Sequence, residues 1–189
     1  NCDTSCGIEY EYKNGYCYSL NDLNVLRAIT NNNLNLNMFF DDDSNGNIDE
    51  LELGFQEWSA GRLEILDCYR DTVSCNISIS LPENLSVLDS LTVLDFVKNN
   101  LQGNLTESLI QSLDGLLNFR ILNITDNQIS GYLPENICNI DSVLLDDNQF
   151  CPCYFDCENR IITSEEHQDT TGCSVCEAGY STICDDLNE

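Results

Sequence analysis

Positive charge is what this chain has least of. Seven Lys and Arg stand against 33 Asp and Glu, a formal charge of −26, which repels nucleic-acid backbones and anionic membranes and attracts cations. Nucleic acid is therefore not an expected partner. Histidine is scarcer still: the single His167, in the acidic run SEEHQD, cannot build a multi-histidine zinc site. No run of 18 apolar residues occurs, so no membrane-spanning helix is expected. Gly-x-Ser-x-Gly, a phosphate-cradling glycine loop and a metalloprotease helix are all missing, and no nucleophile–base pair can be named, so an enzyme is not expected. The chain opens at Asn1 with neither Met nor an apolar leader, and we expect a processed, soluble, secreted protein.

What is present agrees with that compartment. An apolar fraction of 42% is enough for a real core. Twelve Cys lie at 2, 6, 17, 68, 75, 138, 151, 153, 157, 173, 176 and 184, a density that a reducing cytosol seldom permits, so disulfides are expected. Cys151-Pro-Cys153 and Cys173-Ser-Val-Cys176 read as structural bridges rather than as zinc or redox motifs. Cys68 and Cys75 are the easiest local pair. That leaves three Cys before them and seven after: either one bridge joins the two groups, or a thiol at each end pairs with another chain. Four glycosylation sequons, Asn76-Ile-Ser, Asn84-Leu-Ser, Asn104-Leu-Thr and Asn123-Ile-Thr, have meaning only along a secretory route.

The sequence repeats. Leu91-x-x-Leu94-x-Phe96-x-x-Asn99-x-Leu101-x-Gly103-x-Leu105 is answered by Phe119-x-x-Leu122-x-Ile124-x-x-Asn127-x-Ile129-x-Gly131-x-Leu133-Pro134. A shorter copy follows, Ile140-x-x-Val143-x-Leu145-x-x-Asn148-x-Phe150, and a divergent one precedes, Leu63-x-x-Leu66-x-Cys68-x-x-Asp71-x-Val73. Positions 71, 99, 127 and 148 are therefore spaced by 28, 28 and 21 residues. In each copy the inner apolar residues point from a short strand into a shared core, and the Asn side chain satisfies turn backbone that no sheet pairs. Thr106 to Leu117 is expected to carry a helix, with Leu109, Leu113 and Leu116 facing inward.

These copies resemble the plant-type extracellular leucine-rich repeat over about residues 62 to 152, with Gly-x-Leu-Pro after the Asn as its mark. Thr106 departs from it by replacing the Pro. The expected fold is an α/β solenoid: a short array of about four leucine-rich repeats over 62–150, a helical EF-hand-like N-terminal cap over 1–61, and a disulfide-rich C-terminal cap and tail over 151–189. The resemblance implies that a concave sheet binds partners through the variable residues around the inner Leu. Here these include Tyr69, Arg70, Asp95, Val97, Lys98, Thr125 and Asp126.

One stretch of the N-terminal cap has a chemistry of its own. In DDDSNGNIDELE, Asp41, Asp43, Asn45, the Asn47 carbonyl, Asp49 and Glu52 occupy positions 1, 3, 5, 7, 9 and 12 of a loop, with Gly46 at position 6 and Ile48 at position 8. The stretch is similar to the EF-hand calcium loop at every position, and Ca²⁺ takes six to eight hard oxygens of this kind. A solvated acidic patch needs neither the Gly nor the final Glu. Leu51, Phe55 and Trp58 predict an exit helix, and Asp22 to Thr30 predicts an earlier one capped by Ser19, Asn21 or Asp22. No second loop accompanies the first, so a structural ion of modest affinity, on the order of 10⁻⁴ to 10⁻³ M, is expected rather than a signalling switch.

The function read from sequence is a secreted, glycosylated, calcium-binding, non-enzymatic module that recognises protein or glycan. The alternative is a structural subunit of an extracellular filament, sheath or coat, built from copies of itself.

Overall fold

The computed structural model describes residues 6–154, 157 and 162–173. The chain starts with a hairpin of β1 (Tyr10–Lys13) and β2 (Tyr16–Ser19). Its Asn14-Gly15 turn has positive φ at both residues, 49° and 92°, as a tight hairpin requires. The Cys6–Cys17 disulfide pins it. Ser19 then caps α1 (Leu20–Asn32), which buries Leu23, Val25, Leu26 and Ile29.

A 3-10 turn at Met38–Phe40 leads into the acidic loop. The expected exit helix does not form. Gly54, at φ 66°, turns the chain directly after Leu53, and β3 (Phe55–Ser59) runs antiparallel to β4 (Arg62–Asp67) with a register shift between Glu57 and Trp58. The extra residue is Glu64 on β4, so β3 keeps a strand's alternation, with Phe55 and Trp58 at positions of opposite parity.

The first repeat also departs from expectation. β5 (Tyr69–Arg70) and β6 (Val73–Ser74) fold back as a small hairpin. Asp71, expected on the Asn ladder, lies at its exposed tip, where Asp71 and Thr72 have φ 52° and 71°.

From there the repeats are regular: β7 (Val93–Asp95), α2 (Glu107–Asp114), β8 (Ile121–Asn123), β9 (Ser130–Gly131), β10 (Ser142–Leu144) and β11 (Gln149–Phe150). The main sheet has five strands in the order β10-β8-β7-β4-β3, parallel except where β3 meets β4. Leu63, Leu66, Leu91, Leu94, Leu122 and Val143 point behind it into the core. Each such side chain stabilises the fold by about 1.5–3 kcal/mol. Thr106, the departure from Pro, caps α2 by accepting from Leu109 N–H, and the helix buries Leu109, Ile110 and Leu113, with Leu116 buried just beyond it.

Three buried asparagines lace the turns. Asn99, Asn127 and Asn148 each accept a backbone N–H of the preceding repeat, from Ile77, Leu101 and Ile129, at 2.9–3.0 Å. Their amides donate back to Cys68, Phe96 and Ile124 carbonyls. The cap continues this pattern without the repeat's apolar signature. Gln168 accepts from Phe150 N–H (3.1 Å) and donates to the Leu145 carbonyl (3.0 Å), so it takes the place of the next ladder Asn. Cys138–Cys157 and Cys151–Cys173 fasten this cap. Cys153 is disulfide-bonded as well, whereas Cys2, Cys176 and Cys184 lie outside the described residues.

Candidate functional site

The acidic loop is organised by its own carboxylates. Asp41 accepts from the N–H groups of Asn45 (3.1 Å) and Gly46 (2.9 Å), and Asp43 from Asn45 N–H (2.9 Å). Glu52 closes the ring: its two oxygens accept from Asp43 N–H (3.1 Å) and Asp49 N–H (3.0 Å). Asn45 Oδ1 takes Asn47 N–H at 2.8 Å, and Asp49 takes Leu51 N–H at 2.8 Å. Gly46 sits at φ 87°, a conformation that favours glycine.

As a result, carboxylate oxygens of Asp41, Asp43 and Glu52 lie within 4.8 Å of one another. Three negative charges so close repel one another, and a cation among them relieves that repulsion. The donors are all hard oxygens, which suits Ca²⁺ rather than a softer metal. Asp42, the one acidic residue of the stretch not expected as a ligand before position 10, is exposed.

Glu50 holds the far side of the loop to the cap. It is buried, with Lys13 Nζ at 2.7 Å and the Arg27 guanidinium at 2.6 Å, and Arg27 also reaches Glu11 at 2.7 Å. Burial pushes the Glu50 carboxyl up, but hydrogen bonds from Lys13 and Arg27 outweigh it and hold the group below its ordinary value. Sequence spacing could not mark Glu50, because its partners come from β1 and α1.

The concave sheet presents two rows in register. One runs Ile65, Val93, Ile121, Ser142; the other Asp67, Asp95, Asn123, Leu144. Asp95 accepts from Asn123 Nδ2 (2.8 Å) and from Val97 N–H (3.0 Å). Burial raises the Asp67 carboxyl, and Asp95 beside it adds to the effect against the Tyr69 N–H. Lys98 lies over the Tyr69 ring at 5.6 Å, and Arg70 over Phe55 at 5.1 Å. Thr125 follows β8, and Asp126 is exposed at φ 58°. The expected binding residues thus form one strip along the sheet and its C-terminal turns, with Tyr69 and Arg70 displaced onto the small hairpin.

The four sequons differ in surroundings. Asn84 and Asn104 are exposed. Asn76 is partly buried and donates to the Asn35 carbonyl (2.6 Å), and Asn123 is tied to Asp95.

Among solved structures, the chain is similar to the BIR2 ectodomain of Arabidopsis thaliana, with 22% identity, a TM-score of 0.50, and 69% of each chain covered. The fold is a leucine-rich-repeat solenoid. It is also similar to the leucine-rich-repeat ectodomain of the receptor kinase SOBIR1 of Arabidopsis thaliana (18% identity, TM-score 0.46, 71% of this chain and 70% of that one). A further likeness is to the BIR3–SERK2 complex of the same plant (22% identity, TM-score 0.40), where 52% of this chain covers 50% of the other. The chain therefore spans half the length of that relative. No family model matches the sequence, and no curated protein does. Among the described residues no helix is long and apolar enough to cross a membrane.

Proposed function

We propose that this chain is an extracellular, glycosylated recognition module whose N-terminal cap is stabilised by Ca²⁺ and whose concave sheet binds a protein or glycan ligand. The convergence of Asp41, Asp43 and Glu52 on one point carries the calcium reading. Asn45 Oδ1, the Asn47 carbonyl and Asp49 complete the oxygen set, and the ion supplies positive charge that fixes the loop. The in-register rows of exposed and half-buried side chains support recognition, and the three disulfides Cys6–Cys17, Cys138–Cys157 and Cys151–Cys173 support an oxidising location. Asn84 and Asn104 are the sequons best placed to carry sugar. Asn123 stands within the concave face, and a glycan there would obstruct it.

Melting the protein in Ca²⁺ and in chelator tests the metal. The expected result is a higher Tm in Ca²⁺ that Glu52→Gln abolishes; equal melting temperatures would falsify it. A saturable partner lost on Lys98→Glu or Thr125→Arg supports the concave face, whereas large particles that fall apart in chelator or reductant favour a structural subunit instead.

A further inference from the structure

The N-terminal cap holds a second concavity, remote in character from both acidic loop and repeat sheet. A cleft of about 740 Å³ opens where the β1–β2 hairpin meets the turn between β3 and β4. Tyr10, Tyr16 and Tyr18 come from the hairpin, Trp58 from β3, and Ala60 and Gly61 from the turn; none of the eight residues lining it is charged. In a chain with 33 acidic residues this neutrality is selective. A cation or an anion would find no counter-charge there.

The rings form a continuous row. Tyr16 meets Tyr18 edge-on at 6.4 Å between centroids, and Tyr18 meets Trp58 at 4.8 Å. Trp58 is oriented by its own Nε1–H, which donates to Gln56 (2.9 Å). Tyr16 is 69% exposed, so its ring is offered rather than packed. The phenol hydroxyls of Tyr10, Tyr16 and Tyr18 make no hydrogen bond to any described residue.

The frame is rigid before any ligand arrives. Cys6–Cys17 ties the hairpin, and Ser19 N–H bonds the Gly61 carbonyl at 2.7 Å. Gly61, at φ 80°, leaves no room for a side chain: a Cβ would lie 2.4 Å from the Cys17 carbonyl and 3.0 Å from the Tyr10 ring. Preorganisation of this kind lowers the entropic cost of binding.

We propose that this cleft binds a neutral oligosaccharide. A pyranose ring has an apolar C–H face and a rim of uncharged hydroxyls. Tyr and Trp are complementary to it, with an apolar ring face and a polar edge. The volume lies within the ~300–1,000 Å³ usual for small-ligand sites. Leu, Ile, Val, Met and Phe, which would line a seam for an apolar protein segment, are absent from the wall. The proposal depends on neither the calcium loop nor the concave sheet.

Trp58 is the one tryptophan in the chain, so its emission reports directly on the cleft. The full chain is titrated with the hexasaccharides of β-1,4-glucan, β-1,3-glucan, β-1,4-mannan and chitin. The expected result is a saturable emission change with at least one, with Kd on the order of 1 mM or tighter. Tyr16→Ala, at an exposed position, then weakens that binding at least tenfold with the melting temperature unchanged. Four flat titrations up to roughly ten times that Kd overturn the proposal, as does equal affinity in Tyr16→Ala. Calorimetric binding without an emission change places the sugar elsewhere and also overturns it. An emission change that follows protein concentration without sugar assigns the cleft to a second copy of the chain, and the proposal then falls as well.

Discussion

The wholly buried carboxylate of Asp22 grips the guanidinium of Arg62 through three contacts, at 3.2, 3.0 and 2.9 Å, and takes the Leu63 N–H at 2.8 Å. Helix α1 is thereby bolted to the first strand of the solenoid. The hydrogen bond that Arg62 donates to Asp22 holds the guanidinium above its ordinary value, with Asp89 adding to it. Asp22→Asn leaves that cation without its main partner. Breaking one side of such a buried pair costs about 3–5 kcal/mol, and denaturant unfolding of the variant measures it.

Glu50 makes the cap acid-sensitive. Its folded-state value is depressed, so its contribution is present above the ordinary 4.5 and is lost as pH falls through the folded value. In chelator, melting temperature should drop over that window, and Glu50→Gln should flatten this part of the profile. An unchanged profile in the variant counts against the anchor.

Asp67 has the opposite sign. Its folded value is raised, so the ionised carboxylate disfavours the native state at neutral pH, and stability is regained as pH falls through that value towards the ordinary 3.8. Asp67→Asn should therefore raise the melting temperature at pH 7, by a margin that shrinks in acid. The amide oxygen can still accept the Tyr69 N–H that Asp67 takes at 2.8 Å.

Cys68 and Cys75 stand side by side as buried thiols, not as the bridge expected of a local pair. A Cβ on Gly54 would lie 3.0 Å from both sulfurs, and Cys75 N–H bonds the Cys68 carbonyl at 3.0 Å. Burial, then the hydrogen bond with Cys75, pushes the Cys68 thiol up, so Cys68 should not alkylate in the native protein. Chain secreted through an oxidising compartment should carry the pair closed. Trypsin cuts after Arg62, Arg70 and Lys98, so a non-reduced digest should join peptides 63–70 and 71–98. Two separate peptides, each alkylated after denaturation, would sink the idea.

Gln168 should be worth more than its exposed neighbours. Gln168→Ala leaves the Phe150 N–H and Leu145 carbonyl without this partner, at a cost of about 1–3 kcal/mol. Glu166→Ala, two residues away on the exposed side, should cost nothing measurable.

The repeats were legible because Leu and Asn recur in phase, so that one register explains burial and hydrogen bonding together. The acidic loop was legible because its geometry is local: the carboxylates of Asp41, Asp43 and Glu52 come together within one short stretch of chain. What escaped was decided at a distance. Leu51, Phe55 and Trp58 have helical spacing, but Gly54 turns the chain and Phe55–Ser59 pairs with β4 from further along the sequence. The hairpin at Asp71 forms where two turn residues accept positive φ, which the repeat pattern had no means to signal. Glu50, Gln168 and the Tyr–Trp row each depend on partners from other elements.

The asparagine ladder also has a direction. Asn99, Asn127 and Asn148 all reach back to the repeat already made, never forward. During synthesis each turn must therefore wait, its backbone amide unsatisfied, until the next has been made. The final turn waits for Gln168 of the cap. A ribosome stalled before that codon would hold an array whose last turn stays open at the Phe150 N–H.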